Sequence, residues 1–227
     1  MTAFYWFAAT LFLYAVADIL YQKSGHKAFL HPVFIPVFVL VSVFCIFNMP
    51  LEPFVAGTYV FTILLAAAVA ALALPLYRNL SALKRDPAAI LAAIAGGSIS
   101  STGSALVVAY FLHAPPELMA SLATKSVTTP IAVEIVRVIG GIPSVAAATV
   151  IIAGLFVAVF GPGFLRLLGV DDDLSMGLAL GTVGHGLGMA ESVRRSDLMG
   201  AAAAFSMASN GLVTALMLPI LWPYLIN

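Results

Sequence analysis

The chain has 227 residues, of which 62% are hydrophobic and 9% are charged, and its formal net charge at neutral pH is zero. Soluble domains carry about 25% charged residues, so this chain cannot cover a water-facing surface, and its neutral charge argues against a nucleic-acid partner. The single cysteine excludes an internal disulfide, and the composition predicts one polytopic domain in a lipid bilayer over residues 1–227.

Six apolar stretches are each about long enough to cross the hydrocarbon core as a helix. Two further segments, 117–139 and 174–193, have helical periodicity but are interrupted by proline, glycine or polar residues. The small-residue run at 96–104 is interpreted as a surface for close helix packing, with a polar pore lining as the alternative. The sequence therefore predicts an all-α membrane fold of about seven to eight transmembrane elements. The six apolar stretches are 3–22, 32–49, 58–77, 87–112, 143–165 and 198–222.

The order of these elements indicates an internal repeat with halves at about 1–115 and 116–227. Pro32 and Pro143 each open a span and lie 111 positions apart, and Asp86 and Asp197 each follow basic residues at the same offset. Repeats with interrupted helices in matching positions are typical of secondary transporters. The alternative is chance similarity between alanine-rich spans.

Two topologies remain open. If all eight elements cross and the N-terminus is outside, most basic residues fall on the cytoplasmic side, as the positive-inside rule requires, and the two halves are parallel. If 58–80 and 174–193 are re-entrant hairpins instead, each half has three crossings and the repeat is inverted. The distribution of charge favours the first topology, and the precedent of inverted repeats favours the second.

The first interruption holds Lys125, Ser126, Thr128, Thr129 and Pro130. Thr129 is predicted to cap a helix that has Pro130 in its first position, where the missing N–H costs nothing. A helix N-terminus carries partial positive charge, and the lysine and hydroxyl groups add donors, so these residues form a candidate site for a small anion. The alternative is that the threonines repair a kink and that the lysine reaches the membrane interface.

The second interruption contains four glycines in eight positions. Thr182, Gly184, His185 and Gly186 lie in it, and we expect them to contribute to the same substrate site. Unwound backbone at membrane depth must be buried by protein or line a wet cavity. The alternative is a histidine that bonds to a neighbouring carbonyl while the glycines allow close helix packing.

Two residues are candidates for proton coupling. His185 has an ordinary pKa near neutrality, so its ring can load and release a proton. Glu134 lies one turn into the helix after Pro130, where it could either couple to protons or pair with Arg137 three residues further on. No catalytic residue, metal site or cofactor fingerprint is predicted, and the sequence does not indicate an enzyme.

Several blocks of the sequence resemble the LrgB/CidB family of membrane proteins over nearly the whole chain. The blocks are Lys-Ser-Val-Thr-Thr-Pro-Ile-Ala at 125–132, Gly-Gly-Ile-Pro at 140–143, Gly-Leu-Ala-Leu-Gly-Thr at 177–182 and Leu-Pro-Leu-Tyr at 74–77. The chain departs from the family pattern around its second interruption, where Gly184 stands in place of the usual serine. The identity of the substrate is therefore less certain than its class.

The resemblance implies a function. Members of the family are described as holin-like or antiholin-like proteins that control murein hydrolases and lysis, a similar domain occurs in the plastidal glycolate/glycerate translocator, and related bacterial pairs are associated with pyruvate uptake. We therefore predict a multi-pass secondary transporter of the inner (cytoplasmic) membrane for small monocarboxylates such as glycolate, glycerate or pyruvate. The alternative is a holin-like or antiholin-like protein. Expected partners are the carboxylate, further copies of the chain in a homo-oligomer and a separate LrgA-like membrane protein.

Overall fold

A computed structural model describes residues 2–25, 30–71 and 73–225. The elements found there are all helical, and they form two compact units, 1–71 and 72–227. Four of the described helices are long and apolar enough to cross a membrane, which agrees with four of the six predicted spans. These are α1 (Thr2–Lys23), α6 (Pro87–Phe111), α9 (Pro143–Leu167) and α11 (Asp197–Leu225).

The first unit consists of α1, α2 (Phe34–Phe47) and α3 (Glu52–Ala71). Aromatic side chains join these helices. Trp6 of α1 stacks on Phe44 of α2 at 5.0 Å between ring centroids, and its ring meets the edge of Phe54 of α3 at 5.7 Å. Such pairs stabilise helix contacts where the apolar surroundings give no hydrophobic driving force.

The second unit contains the remaining helices, and both predicted interruptions lie in it. The predicted element 58–80 is divided between α3 and two short helices, α4 (Ala73–Arg78) and α5 (Leu80–Leu83). Besides α4, α5 and the long helices α6, α9 and α11, the second unit contains α7 (Pro116–Ala123), α8 (Thr129–Ile139) and α10 (Asp173–Val193).

Helices α7 and α8 form a hairpin, which we call hairpin 1 (residues 116–139). A continuous helix over these residues would be about 36 Å long. Instead, the backbone N–H of Ile142, just past α8, donates to Ser121 Oγ in α7 at 2.8 Å. A Cβ added to Gly141 would lie 3.1 Å from that of Ala120. Hairpin 1 therefore returns to the end at which it began, and its tip is the turn at 124–128.

Helix α10 is also folded back on itself, and we call it hairpin 2 (residues 173–193). The backbone of His185 has φ 41° and ψ −129°, which is not helical. Gly188 lies against the carbonyl of Leu180, although residues eight apart in a straight helix are separated by about 12 Å. At the base, Ser196 Oγ donates to Asp173 Oδ2 at 2.5 Å. Both ends of hairpin 2 are therefore on the same side, with the tip at 184–186.

The two hairpins enter the unit from opposite ends. The base of hairpin 1 precedes α9, the base of hairpin 2 follows it, and α9 spans about 37 Å between them. The first half of α9 packs on hairpin 1 through Ala146 and Val150, and the second half packs on hairpin 2, where Gly161 faces Leu180. The hairpin tips consequently meet near the middle of α9.

Helices α6 and α11, like α9, each pack against both hairpins. On α6, Ile94 packs with hairpin 2 and Leu106 packs with hairpin 1. On α11, Ala203 lies against hairpin 2, while Leu218 and Trp222 pack against hairpin 1. Two hairpins aligned tip to tip are thus enclosed by three long helices.

The distribution of polarity in the second unit is that of a membrane protein. The polar side chains Ser101, Ser126, Thr182 and Asn210 are buried, whereas large apolar side chains point outward from the long helices. In a bilayer such an outer surface is solvated by lipid, and internal polar groups must find partners within the protein. Among the described residues, every buried side-chain N or O atom has a hydrogen-bond partner.

These findings refine the predicted topology. The structure favours the re-entrant form for 174–193, and gives the same form to 117–139, for which no hairpin was predicted. Within 72–227, α6 is followed by hairpin 1 and α9 is followed by hairpin 2. These two helix–hairpin units run in opposite directions, so they form an inverted pair. The count of seven to eight crossing elements is not confirmed, and the repeat halves 1–115 and 116–227 stay a prediction.

Candidate functional site

The tip of hairpin 1 places Lys125 between two helices. Helix α7 ends at Ala123, and the chain makes a turn before α8 begins at Thr129. The N-cap of α8 is Thr128, with extended backbone, so the prediction that Thr129 is the cap was wrong by one residue. Pro130 is consequently the second residue of α8, not the first as was predicted, and its lack of an N–H is still harmless in this first turn.

The ammonium of Lys125 lies in a group of hydroxyls. Its Nζ donates to Ser101 Oγ of α6 at 2.6 Å and to Ser126 Oγ at 3.3 Å, and the two serine oxygens are 2.6 Å apart. An ammonium has three N–H groups, so one more remains for a ligand. Ser101 and Ser126 are buried and Lys125 is half-buried. The three side chains thus form a cationic, donor-rich centre at the hairpin tip.

Lys125 also lines a groove of about 570 Å³ between α6 and α7. The groove runs from Lys125 to His113 at the end of α6, and Ser104 is its other polar side chain. Its volume is sufficient for a small organic anion next to the ammonium. The remaining lining residues are mainly apolar: Ala105, Val108, Ala109, Leu112, Ala114, Pro115, Leu118 and Leu122.

The N-terminus of α8 adds to the positive potential at this tip. The helix has 11 residues, and the side chain of its N-cap Thr128 makes no capping hydrogen bond. The N–H groups of the first turn are therefore available to a ligand, and the helix dipole favours negative charge at this end. A charged lysine three residues before the N-cap of a helix offers, together with the N–H groups of that helix, donors suited to a carboxylate.

Asn210 of α11 connects the tip of hairpin 1 to the first segment of hairpin 2, two residues before the tip of that hairpin. Its Nδ2 donates to the carbonyl of Ser126 at 2.8 Å and to the carbonyl of Thr182 at 2.9 Å. Asn210 is 1% exposed. Thr182 packs beside Gly97 of α6, and its hydroxyl donates to the carbonyl of Leu178 within its own helix. Residues from both interruptions are thus brought together, as predicted, although by a residue that lies outside them.

The tip of hairpin 2 is held by α9. His185 Nε2 lies 2.9 Å from the carbonyl of Val150, and a Cβ at Gly154 would come within 2.5 Å of the imidazole. Gly184 similarly lies against Val157. Because a carbonyl only accepts hydrogen bonds, Nε2 carries a proton, and Nδ1 is the acceptor nitrogen in the neutral ring. Gly186, also at this tip, has open space at its Cα.

Two of the predicted residues have described partners outside the lysine cluster. The described partner of the His185 ring is α9, in agreement with the alternative that a neighbouring carbonyl binds it. Glu134 is exposed on α8 and pairs with Arg137 at 2.7 Å, which is the structural role that the sequence left open. The assignment of Glu134 to proton coupling has no support from this geometry.

Three residues of this hydrogen-bond network were not recognised from the sequence, among them Thr214, whose hydroxyl donates to Asn210 Oδ1 at 3.5 Å. Ser101 was assigned to a packing surface, and Asn210 and Thr214 were not singled out in the last span. A signal was present, since Ser206, Asn210 and Thr214 recur every four residues in a mainly apolar helix. All three are buried on one face of α11.

The arrangement offers groups that can hold and orient a small anion. Hydroxyls, an ammonium and helix N–H groups are donors to a carboxylate. Within the described ranges, no three histidine, cysteine or acidic residues lie close enough together to hold a metal ion.

Comparison with known proteins agrees with the resemblance seen in the sequence. The sequence profile of the LrgB-like family matches residues 10–224. An uncharacterized protein YwbG of Bacillus subtilis (strain 168) is 32% identical over 216 residues, which is 95% of this chain and 96% of that protein. The antiholin-like protein LrgB of Bacillus mycoides (strain KBAB4) is 30% identical over 225 residues, or 99% of this chain and 98% of that one. No solved structure matches the chain significantly.

Proposed function

This chain belongs to the LrgB-like family of multi-pass membrane proteins, and we propose that it is a secondary transporter of small monocarboxylates in the inner (cytoplasmic) membrane. The observation that carries the proposal is the position of Lys125 at the tip of hairpin 1, in contact with Ser101 and Ser126 and three residues before the N-cap of α8. Half-helix ends that converge in the middle of a bundle are where secondary transporters bind charged substrates. Glycolate, glycerate and pyruvate each present one carboxylate of the required size.

The test is uptake by purified protein in proteoliposomes. Labelled pyruvate and glycolate should enter with saturable kinetics, and unlabelled carboxylate on the far side should accelerate entry by exchange. A labelled neutral solute of similar size is the control, because a pore admits both and shows no exchange. The measurement uses this chain alone. If uptake occurs only after an LrgA-like protein is added to the vesicles, such a partner is required. Crosslinking in the same vesicles tests the proposed homo-oligomer.

We propose that uptake is coupled to protons. A carboxylate anion entering a cell moves against an inside-negative potential, which opposes it by about 2.3 kcal/mol per charge per 100 mV. Entry of one proton with each anion removes this opposition. His185 is the titratable group at the tip of hairpin 2, and its Nδ1 is available for the proton while Nε2 faces Val150.

Replacing His185 with glutamine should weaken this coupling. An inward proton gradient should drive accumulation of pyruvate above equilibrium with the original protein, and the variant should lose most of that stimulation while exchange at equal pH continues. The control is Glu134→Gln, which changes an exposed titratable group that pairs with Arg137 on α8. Equal stimulation in both variants would remove His185 from the proposal. Uptake that does not depend on the pH gradient but is driven by an inside-positive potential would indicate a uniporter or channel.

A second candidate function is an antiholin-like role, which is favoured by the name of relatives that match along 99% of this chain. Such a role predicts a change in lysis or murein hydrolase activity in cells and does not require saturable flux. Cells producing the Lys125→Ala variant separate the two functions. A lysis effect that is unchanged by this substitution, together with no uptake in vesicles, would favour the antiholin-like role.

A further inference from the structure

The amide of Asn210 directly links the tip of hairpin 1 to the first segment of hairpin 2, two residues before the tip of that hairpin. Its nitrogen lies 2.8 Å from the carbonyl of Ser126 and 2.9 Å from the carbonyl of Thr182. Both partners are carbonyls, which only accept hydrogen bonds, so the orientation of the amide follows from chemistry. Each N–H of the amide thereby serves one hairpin.

We propose that hairpins 1 and 2 are the two gates of an alternating-access site and that Asn210 is the latch that holds both gates closed. The inference rests on the proposed transport function. It adds the moving parts and a positioning residue that does not itself touch the substrate.

The geometry assigns one gate to each side of the membrane. The base of hairpin 1 lies at the start of α9 and the base of hairpin 2 lies at its end. The bonds from Ile142 to Ser121 and from Ser196 to Asp173 fix the end at which the chain leaves each hairpin, so a tip can move while that end remains in place. Movement of one tip therefore opens the site to one side only.

The shared amide explains why the gates open in turn. When one tip moves away, Asn210 loses one hydrogen bond and keeps the other. If both tips moved at once, a buried amide would lose both of its acceptors, and buried donors without partners are costly. Simultaneous opening, which would make a leak, is therefore disfavoured relative to either single opening.

The latch is also connected to the binding site. The Ser126 carbonyl that binds Asn210 belongs to the residue whose hydroxyl receives a bond from Lys125. A carboxylate held by Lys125 and the start of α8 fixes this tip in position. Substrate should consequently slow the opening of hairpin 1.

The experiment uses sided labelling of single cysteines. Cys45 is the one native cysteine and is replaced with alanine. Thr124→Cys reports on the tip of hairpin 1, and Val183→Cys reports on the residues just before the tip of hairpin 2. A membrane-impermeant maleimide is applied to right-side-out and to inverted vesicles that contain the full chain. We expect each reporter to be labelled from one side, with the two reporters on opposite sides, and we expect pyruvate to slow labelling of Thr124→Cys.

The latch is tested in the same assay. Asn210→Leu has nearly the same size but no donors, and we expect it to raise the labelling rate of both reporters about tenfold. The matched control is Ser206→Ala, which lies on the same face of α11 and whose hydroxyl bonds within its own helix to Ala203. It should leave both rates unchanged. If Asn210→Leu does not fold, Asn210→Gln displaces the amide by one methylene and should raise both rates by a smaller factor.

Three outcomes contradict parts of the proposal separately. Labelling of both reporters from the same side overturns the assignment of two gates. Unchanged rates in folded Asn210 variants overturn the latch. Opposite-sided labelling and faster rates in the Asn210 variants, without any effect of pyruvate or other monocarboxylates, would leave the gates and the latch in place and contradict the proposed substrate class.

Discussion

Saturable carboxylate uptake is expected to disappear when Lys125 is replaced with alanine. The substitution removes the ammonium that donates to Ser101 and Ser126 and provides the remaining N–H for the substrate. A hydrogen bond to a charged group contributes about 1.5–3 kcal/mol, so affinity should fall by about 10- to 100-fold from this loss alone. The loss of compensating charge at membrane depth adds to this effect. Uptake of labelled pyruvate over a range of concentrations measures it.

The control for this prediction is Arg137→Ala. Arg137 also belongs to hairpin 1, but it is exposed and pairs with Glu134 on the outer face of α8. Exposed ion pairs contribute about 0–1 kcal/mol, so uptake should stay close to that of the original protein. Both variants must reach the membrane and elute as folded protein in detergent. Normal uptake by folded Lys125→Ala would contradict the site.

The largest loss of stability is expected from Gly181→Ala. A Cβ at this position would overlap the carbonyl oxygen of Ala203 and Oγ of Ser206, because the first segment of hairpin 2 packs directly on α11. Overpacking usually costs about 1–3 kcal/mol, and here the obstacle is backbone, which cannot rotate aside. The expected result is a fall in Tm of several degrees, measured by thermal unfolding in detergent.

Gly103→Ala is the matched control for the glycine prediction. Gly103 lies inside α6, and a Cβ there would meet nothing within 4 Å. Alanine is favoured over glycine in a helix by about 0.5–1 kcal/mol, so this variant should be as stable as the original or slightly more so. An unchanged Tm for Gly181→Ala would show that hairpin 2 does not approach α11 as closely as described.

The membrane character and most of the long spans were predictable from the sequence. A membrane span is recognised from a continuous run of apolar residues, which is a local property of the sequence. The predicted spans 87–112, 143–165 and 198–222 therefore differ from α6, α9 and α11 by only a few residues at each end. The polar residues at 125–130 and the glycines near His185 were also recognisable, because helix interruptions depend on local backbone preferences.

The tertiary structure alone decided what those interruptions do. Whether a broken helix continues across the membrane or turns back depends on contacts between distant residues, such as Ile142 with Ser121 and Ser196 with Asp173. Asn210 receives its role from carbonyls 84 and 28 positions away. The residues next to Asn210 in the sequence do not indicate partners that are so distant along the chain. The sequence by itself determined the class of protein and the chemistry at its two interruptions, and long-range packing determined that these interruptions meet at a single site.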